Sequence, residues 1–224
     1  GMVLVYLGLF VIIAWTAGVK KRWFLLALVL GVAAVIIVWP HVPGYIQGRF
    51  TVVIDHITGN PDTYVEQTQG RGWQQTRSIL AIGSGGLFGQ GYLQGTQTQS
   101  ASEEALPARH TDEIFAVCGE EFGMVGCILV ILLLTAIILR CVWVARRANS
   151  PMAAYVAMGY AAMLLLQTVI NIGMCLYVFP VVGLTLPFFS SGGSSIITLY
   201  ACMGIVSGIK MRSLPSWLRD RSQL

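Results

Sequence analysis

Apolar residues along this chain come in long blocks, the pattern a bilayer demands, and five of them are long enough to be read as membrane-spanning helices. They predict helices at about 2–19, 23–39, 114–139, 152–178 and 190–209. The second sits at roughly the 17-residue minimum for a crossing. Between the second and third blocks, residues 40–113 form a connection far longer than an ordinary loop, and such loops are functional or carry structure of their own. Trp73, Ile79, Leu80, Ile82, Leu87, Phe88, Tyr92 and Leu93 give it apolar material to bury, so short amphipathic helices are expected there. A soluble linker is the plainer alternative.

Composition and charge sharpen this picture. Charged residues make up 11% of the chain and hydrophobic ones 55%, against roughly 25% charged in an ordinary soluble domain. Ten of the fourteen Lys and Arg fall in three clusters: Lys20, Lys21 and Arg22; Arg140, Arg146 and Arg147; Lys210, Arg212, Arg219 and Arg221. The clusters lie at alternate ends of the blocks, and the positive-inside rule assigns them to the cytoplasm. A net charge of +4 so distributed points to membrane topology and not to nucleic acid. The expected organisation is an all-α polytopic bundle. It has two spans in 1–39, an extracytoplasmic loop at 40–113 and three spans in 114–209. A re-entrant loop is placed near 180–195 and a cytoplasmic tail at 210–224. The five cysteines lie in or beside the apolar blocks without CxxC or Cys/His spacing, which argues against disulfides and zinc.

Several polar features interrupt the apolar pattern. Residues 83–95, GSGGLFGQGYLQG, lack the Gly-Lys-Ser/Thr of a phosphate loop, so close backbone packing is the favoured reading. Residues 106–113, LPARHTDE, precede the third span; Thr111 or Asp112 would cap that helix, or Asp112 would stand beside Arg109 and His110 as a general base. Glu120 and Glu121 fall about two turns inside the span, where acidic groups are costly. They would pair with an arginine from a helix outside this chain or line a polar cavity. Gln167 and Asn171 share a face of the fourth span; interhelical hydrogen bonding is assigned to Gln167, and Asn171 is held open as a binding residue. In PVVGLTLPFFSSGGSS, at 180–195, prolines and glycines break the start of the fifth span. Ser190, Ser191, Ser194 and Ser195 are then candidates for holding a polar head group, with caps and turns as the alternative.

Taken in order, GWQQTRSILAIGSGGLFGQGYLQGTQTQ (which contains Gln74), LPARHTD with IFAVCGEEFGMVG, NIGM and PVVGLTLPFFSSGGSS resemble the C-terminal half of the SEDS (RodA/FtsW/SpoVE-like) peptidoglycan polymerases. GTQTQ looks more like the RodA branch. The resemblance implies a ten-span fold of which this chain supplies five spans. It further implies polymerisation of lipid II on undecaprenyl diphosphate-linked glycan, and a class B penicillin-binding protein as partner. Asp112 would be the essential residue. Gln74, Arg109, His110, Glu120, Asn171, Ser190, Ser194 and Ser195 would contact substrate. No cofactor is expected, although a divalent cation would serve to balance the diphosphate. Where the family commonly has LPExHTDF, Ala108 and Glu113 stand here. A lipid II flippase and a non-catalytic scaffold of the cell-wall machinery are the competing functions.

Overall fold

The computed structural model describes residues 2–59, 69–99 and 106–213. The regular structure among them is entirely helical: α1 (Met2–Thr16), α2 (Lys21–Val38), a 3₁₀ turn (Trp39–His41), α3 (Gly44–Thr58), α4 (Trp73–Ser84), α5 (Ile114–Arg146), α6 (Pro151–Cys175) and α7 (Gly193–Arg212). Four helices are long and apolar enough to cross a membrane: α2, α5, α6 and α7. The fifth expected span, α1, is apolar but has 15 residues, about 22 Å at 1.5 Å per residue and short of a core of roughly 30 Å.

Most boundaries shift by a few residues from expectation, and around the α5–α6 pair the local reasons are visible. α5 continues past Arg140 to Arg146, because no glycine or proline stops it and long basic side chains can reach the membrane surface from a helix end. Ser150 and Pro151 then start α6, the serine hydroxyl accepting from the Ala153 N–H at 3.2 Å and the proline occupying the first helical position. α6 stops at Cys175 because Tyr177 takes φ +61°. That residue is buried against Val52 and Val53 of α3 and stacks on His56 at 4.0 Å.

α5 and α6, joined by a short turn, form the central antiparallel pair. Ile138, Cys141 and Ala145 of α5 meet Ala157, Ala161 and Leu164 of α6, and the alanines among them allow close approach. α1 packs on α6, with Val5 against Ile170. α7 joins at Leu199 and Val206, where Tyr160 Oη donates to the Leu199 carbonyl at 2.8 Å. No residue of α2 is buried, and its Phe24 packs on Trp15 of α1.

The expected helices within 40–113 are α3 and α4. α4 is folded into the bundle with Gln75, Ser78 and Ala81 inward, and Gln75 Nε2 donates to the carbonyls of Met174 and Phe179. Residues 60–68 and 100–105 of that connection, with Asp62, Glu66, Glu103 and Glu104, lie outside the described residues, as does the tail from 214.

The glycine segment serves as backbone packing, as its composition predicts. α5 is kinked at Gly123, whose φ of 67° and ψ of −163° are open essentially to glycine alone. The kink strips α5 of internal hydrogen bonds on both sides. The segment replaces them: the N–H groups of Gln90 and Gly91 donate to the carbonyls of Glu120 and Glu121, while Met124 and Val125 donate to Gly86 and Leu87 at 2.9 and 3.2 Å. Gly89 (φ 82°) lies so near Glu121 that a Cβ there would overlap its carbonyl.

Candidate functional site

Residues 107–113 form turns that end where α5 begins. Glu113 is the N-terminal cap position of α5 and makes no side-chain cap bond, so neither Thr111 nor Asp112 caps the helix. The turn is held by its backbone carbonyls. Ser191 donates to His110 O through its N–H (2.8 Å) and hydroxyl (2.6 Å). Ser190 Oγ donates to Thr111 O at 2.6 Å while accepting from the Leu186 N–H at 2.7 Å. Asn171 Nδ2 donates to Asp112 O at 2.8 Å and to Leu184 O at 2.6 Å. Three consecutive carbonyls are thus fixed to α6 and to the 180–192 segment.

That arrangement leaves the Asp112 carboxylate uncommitted. The side chain is half-buried and accepts no hydrogen bond among the described residues, and burial raises its pKa above the usual aspartate range. It faces Gly183: a Cβ built on that glycine would stand 3.7 Å from Asp112 Oδ2. Gly183 in turn lines a groove of about 450 Å³ with Tyr6, Gln167, Thr185, Ser194 and Ser195. The Thr185 and Ser195 hydroxyls are 3.2 Å apart. Ser194 and Ser195 open α7, so their hydroxyls and the free N–H groups of a helix N-terminus face one space. Sequence reasoning overlooked Gly183 and Thr185, although a glycine inside PVVGLTLP was a signal of unusual backbone, here φ +66°.

The remaining candidates are placed differently. Gln167 and Asn171 exchange their expected roles: Asn171 makes the cross-links, whereas Gln167 has a buried Oε1 without a partner and lines the groove. Geometry decides this, since a shared helix face does not say which side chain meets a carbonyl. Glu120 and Glu121 find partners within this chain. Glu120 accepts from the N–H groups of Gln97 and Thr98 at 2.7 and 2.9 Å, and Glu121 from Thr98 Oγ1 and Gln99 Nε2 at 3.3 and 3.1 Å. Both carboxylates therefore hold the 95–99 loop against α5. Arg109 donates to the Thr98 carbonyl, which draws its guanidinium toward that loop. The His110 side chain is exposed, and Gln74 Nε2 donates to Glu113 Oε1 at 3.1 Å.

Glu113 is fully buried beside Asp112. Burial raises its pKa first and the charge of Asp112 adds to the rise, while Ser78, Cys175 and Gln74 beside the carboxyl offset part of it. Burial therefore pushes both neighbouring carboxyls above their usual ranges. A carboxyl whose folded pKa exceeds its unfolded value stabilises the fold fully only below the latter, near 4.5. Stability is then lost as pH rises from there to the folded value. Detergent melting temperatures should accordingly fall over that range in the native chain. The fall should be shallower in Glu113→Gln, which keeps the shape without that titration and leaves only the raised Asp112 to contribute; an unchanged slope in the variant would show that Glu113 is not a source of it.

Residues 1–214 match the FtsW/RodA/SpoVE family, described as cell cycle proteins. The chain is 40% identical over 203 residues to the peptidoglycan glycosyltransferase MrdB of Escherichia coli K12, covering 90% of this chain and 51% of MrdB. It is 39% identical over 140 residues to the probable peptidoglycan glycosyltransferase FtsW of Bacillus subtilis, covering 62% of this chain and 34% of that one. A solved chain from a peptidoglycan synthase complex that coordinates polymerization and crosslinking superimposes with a TM-score of 0.72 at 28% identity, over 95% of this chain and 56% of the other. The chain spans about half the length of the curated relatives it matches.

Proposed function

This chain belongs to the FtsW/RodA/SpoVE family, the SEDS proteins of the bacterial cytoplasmic membrane, and from that premise we propose that it forms part of a glycosyltransferase that polymerises lipid II into glycan strands. The observation that carries this reading is the uncommitted Asp112 carboxylate, tethered through its own backbone and facing the rim of a groove that sets hydroxyl and amide groups among apolar side chains. A general base needs that combination: a fixed position, a free oxygen and partial exclusion of water.

The basic clusters lie at one end of the spans, so the positive-inside rule assigns that end to the cytoplasm. Asp112 and the 180–192 segment then face the outer side. There Asp112 takes the proton from the 4-hydroxyl of an acceptor GlcNAc as that oxygen attacks the anomeric carbon of the growing strand. Undecaprenyl diphosphate leaves, and the configuration inverts. Its departing charge is received by polar groups of the groove, with Ser194, Ser195 and the N-terminus of α7 the best placed. Ser190 and Asn171 act as positioning residues, and Glu120 acts by securing the 95–99 loop. Arg109, His110 and Gln74 stand near the turn as secondary candidates. Among the described residues no cluster of His, Cys, Asp and Glu is arranged to hold a metal, and no step is routed through one. The greater likeness to MrdB than to FtsW in coverage favours the RodA-type branch. The likeness to a chain of a peptidoglycan synthase complex supports a class B penicillin-binding protein as partner.

The whole protein, supplied with purified lipid II and that partner, should build glycan strands. Translocation of lipid II across vesicles without strand formation would instead establish a flippase, and neither activity would leave a scaffold.

A further inference from the structure

At the end of the bundle remote from Asp112, three cations gather around one indole. The guanidinium carbons of Arg140 and Arg147 each lie 4.3 Å from the centre of the Trp143 ring, and Lys210 Nζ of α7 lies 5.8 Å from it. The helix ends are held together there, since Asn149 Nδ2 donates to the Arg212 carbonyl at 3.0 Å. No acidic residue occurs in the sequence between Glu121 and Ser213, so nothing anionic on α5, α6 or α7 reaches this cluster.

The charges have an ordinary partial explanation. Lys and Arg complement the negative ends of α5 and α7, but each helix end carries on the order of half an elementary charge. Two ends do not balance Arg140, Arg146, Arg147, Lys210 and Arg212. The ring attracts each cation separately, yet it brings Arg140 and Arg147 to at most twice their distance from its centre, where like charges repel. The position also matters. Leu132, Leu139 and Trp143 are spaced seven and four residues apart, one stripe of α5, and both leucines are exposed. An apolar track therefore leads from the cation cluster into the bilayer.

We propose that Arg140, Trp143, Arg147 and Lys210 form a binding site for the phosphate of an anionic phospholipid headgroup, with the acyl chains lying along the Leu132–Leu139 stripe. The phosphate oxygens accept from the guanidinium and ammonium N–H groups, and the indole sets the spacing of the cations. The site is distinct from the groove beside Asp112 and does not depend on the polymerase reading.

The test is native mass spectrometry of the whole, delipidated protein titrated with phosphatidylglycerol, phosphatidylcholine or inorganic phosphate. Phosphatidylglycerol should bind at least roughly tenfold more tightly than phosphatidylcholine, and Arg140→Gln/Arg147→Gln should remove that preference by a similar factor. Arg140→Lys/Arg147→Lys keeps the charge and should retain most of it, which separates loss of the site from loss of the fold. Equal phosphatidylglycerol binding by the glutamine variant would overturn the proposal. So would competition by inorganic phosphate at concentrations comparable to the lipid, because the site would then serve a soluble anion.

Discussion

Asn171→Leu is expected to lower strand synthesis by the whole protein roughly 10²-fold, the cost of misplacing a reacting group by about 1 Å, even though the Asn171 side chain reaches only backbone carbonyls. Its amide bridges Asp112 O and Leu184 O, tying the 107–113 turn to the segment that lines the groove. Leucine leaves both carbonyls without that donor and lets the turn and the segment move apart. Asn171→Asp should do nearly as badly, because an ionised carboxylate would face two carbonyl oxygens with nothing to donate. Ser190→Ala removes the neighbouring tether to Thr111 and should add to the loss. The fall should appear in turnover at saturating lipid II, with folded protein recovered in normal amount. Normal turnover in Asn171→Leu would mean that the turn is held by other contacts.

Much of the architecture was legible because a bilayer reduces fold prediction to counting apolar blocks. α2, α5, α6 and α7 were all identifiable from their blocks, and the broken start of α7 followed from Pro187, Gly192 and Gly193. The glycine segment was legible as close packing, but its partner was not. The kink at Gly123 and the backbone pairing with residues 86–91 join positions thirty or more apart, and no local periodicity encodes such a contact. The same blindness explains Glu120 and Glu121. An acidic pair in an apolar span signals a partner, yet the sequence does not reveal that the partner is the 95–99 loop, through its backbone for Glu120 and its side chains for Glu121. Capping at LPARHTDE failed for a related reason: the turn is fixed by tertiary contacts from α6 and the 180–192 segment, which free the Asp112 side chain from a local bond.

The most direct measurement of the central claim is glycan-strand formation from purified lipid II by Asp112→Asn in the whole protein with its penicillin-binding partner. Asparagine preserves the size of the side chain and cannot accept the acceptor's proton. Because Asp112 is not the cap of α5 and its carboxylate carries no hydrogen bond among the described residues, the fold should be unaffected. Melting temperature and lipid II binding should therefore match the native protein, while polymerisation falls by roughly 10²-fold or more, the range removed with a general base. Strand formation at the native rate by Asp112→Asn would contradict the assignment and remove Asp112 from the chemistry.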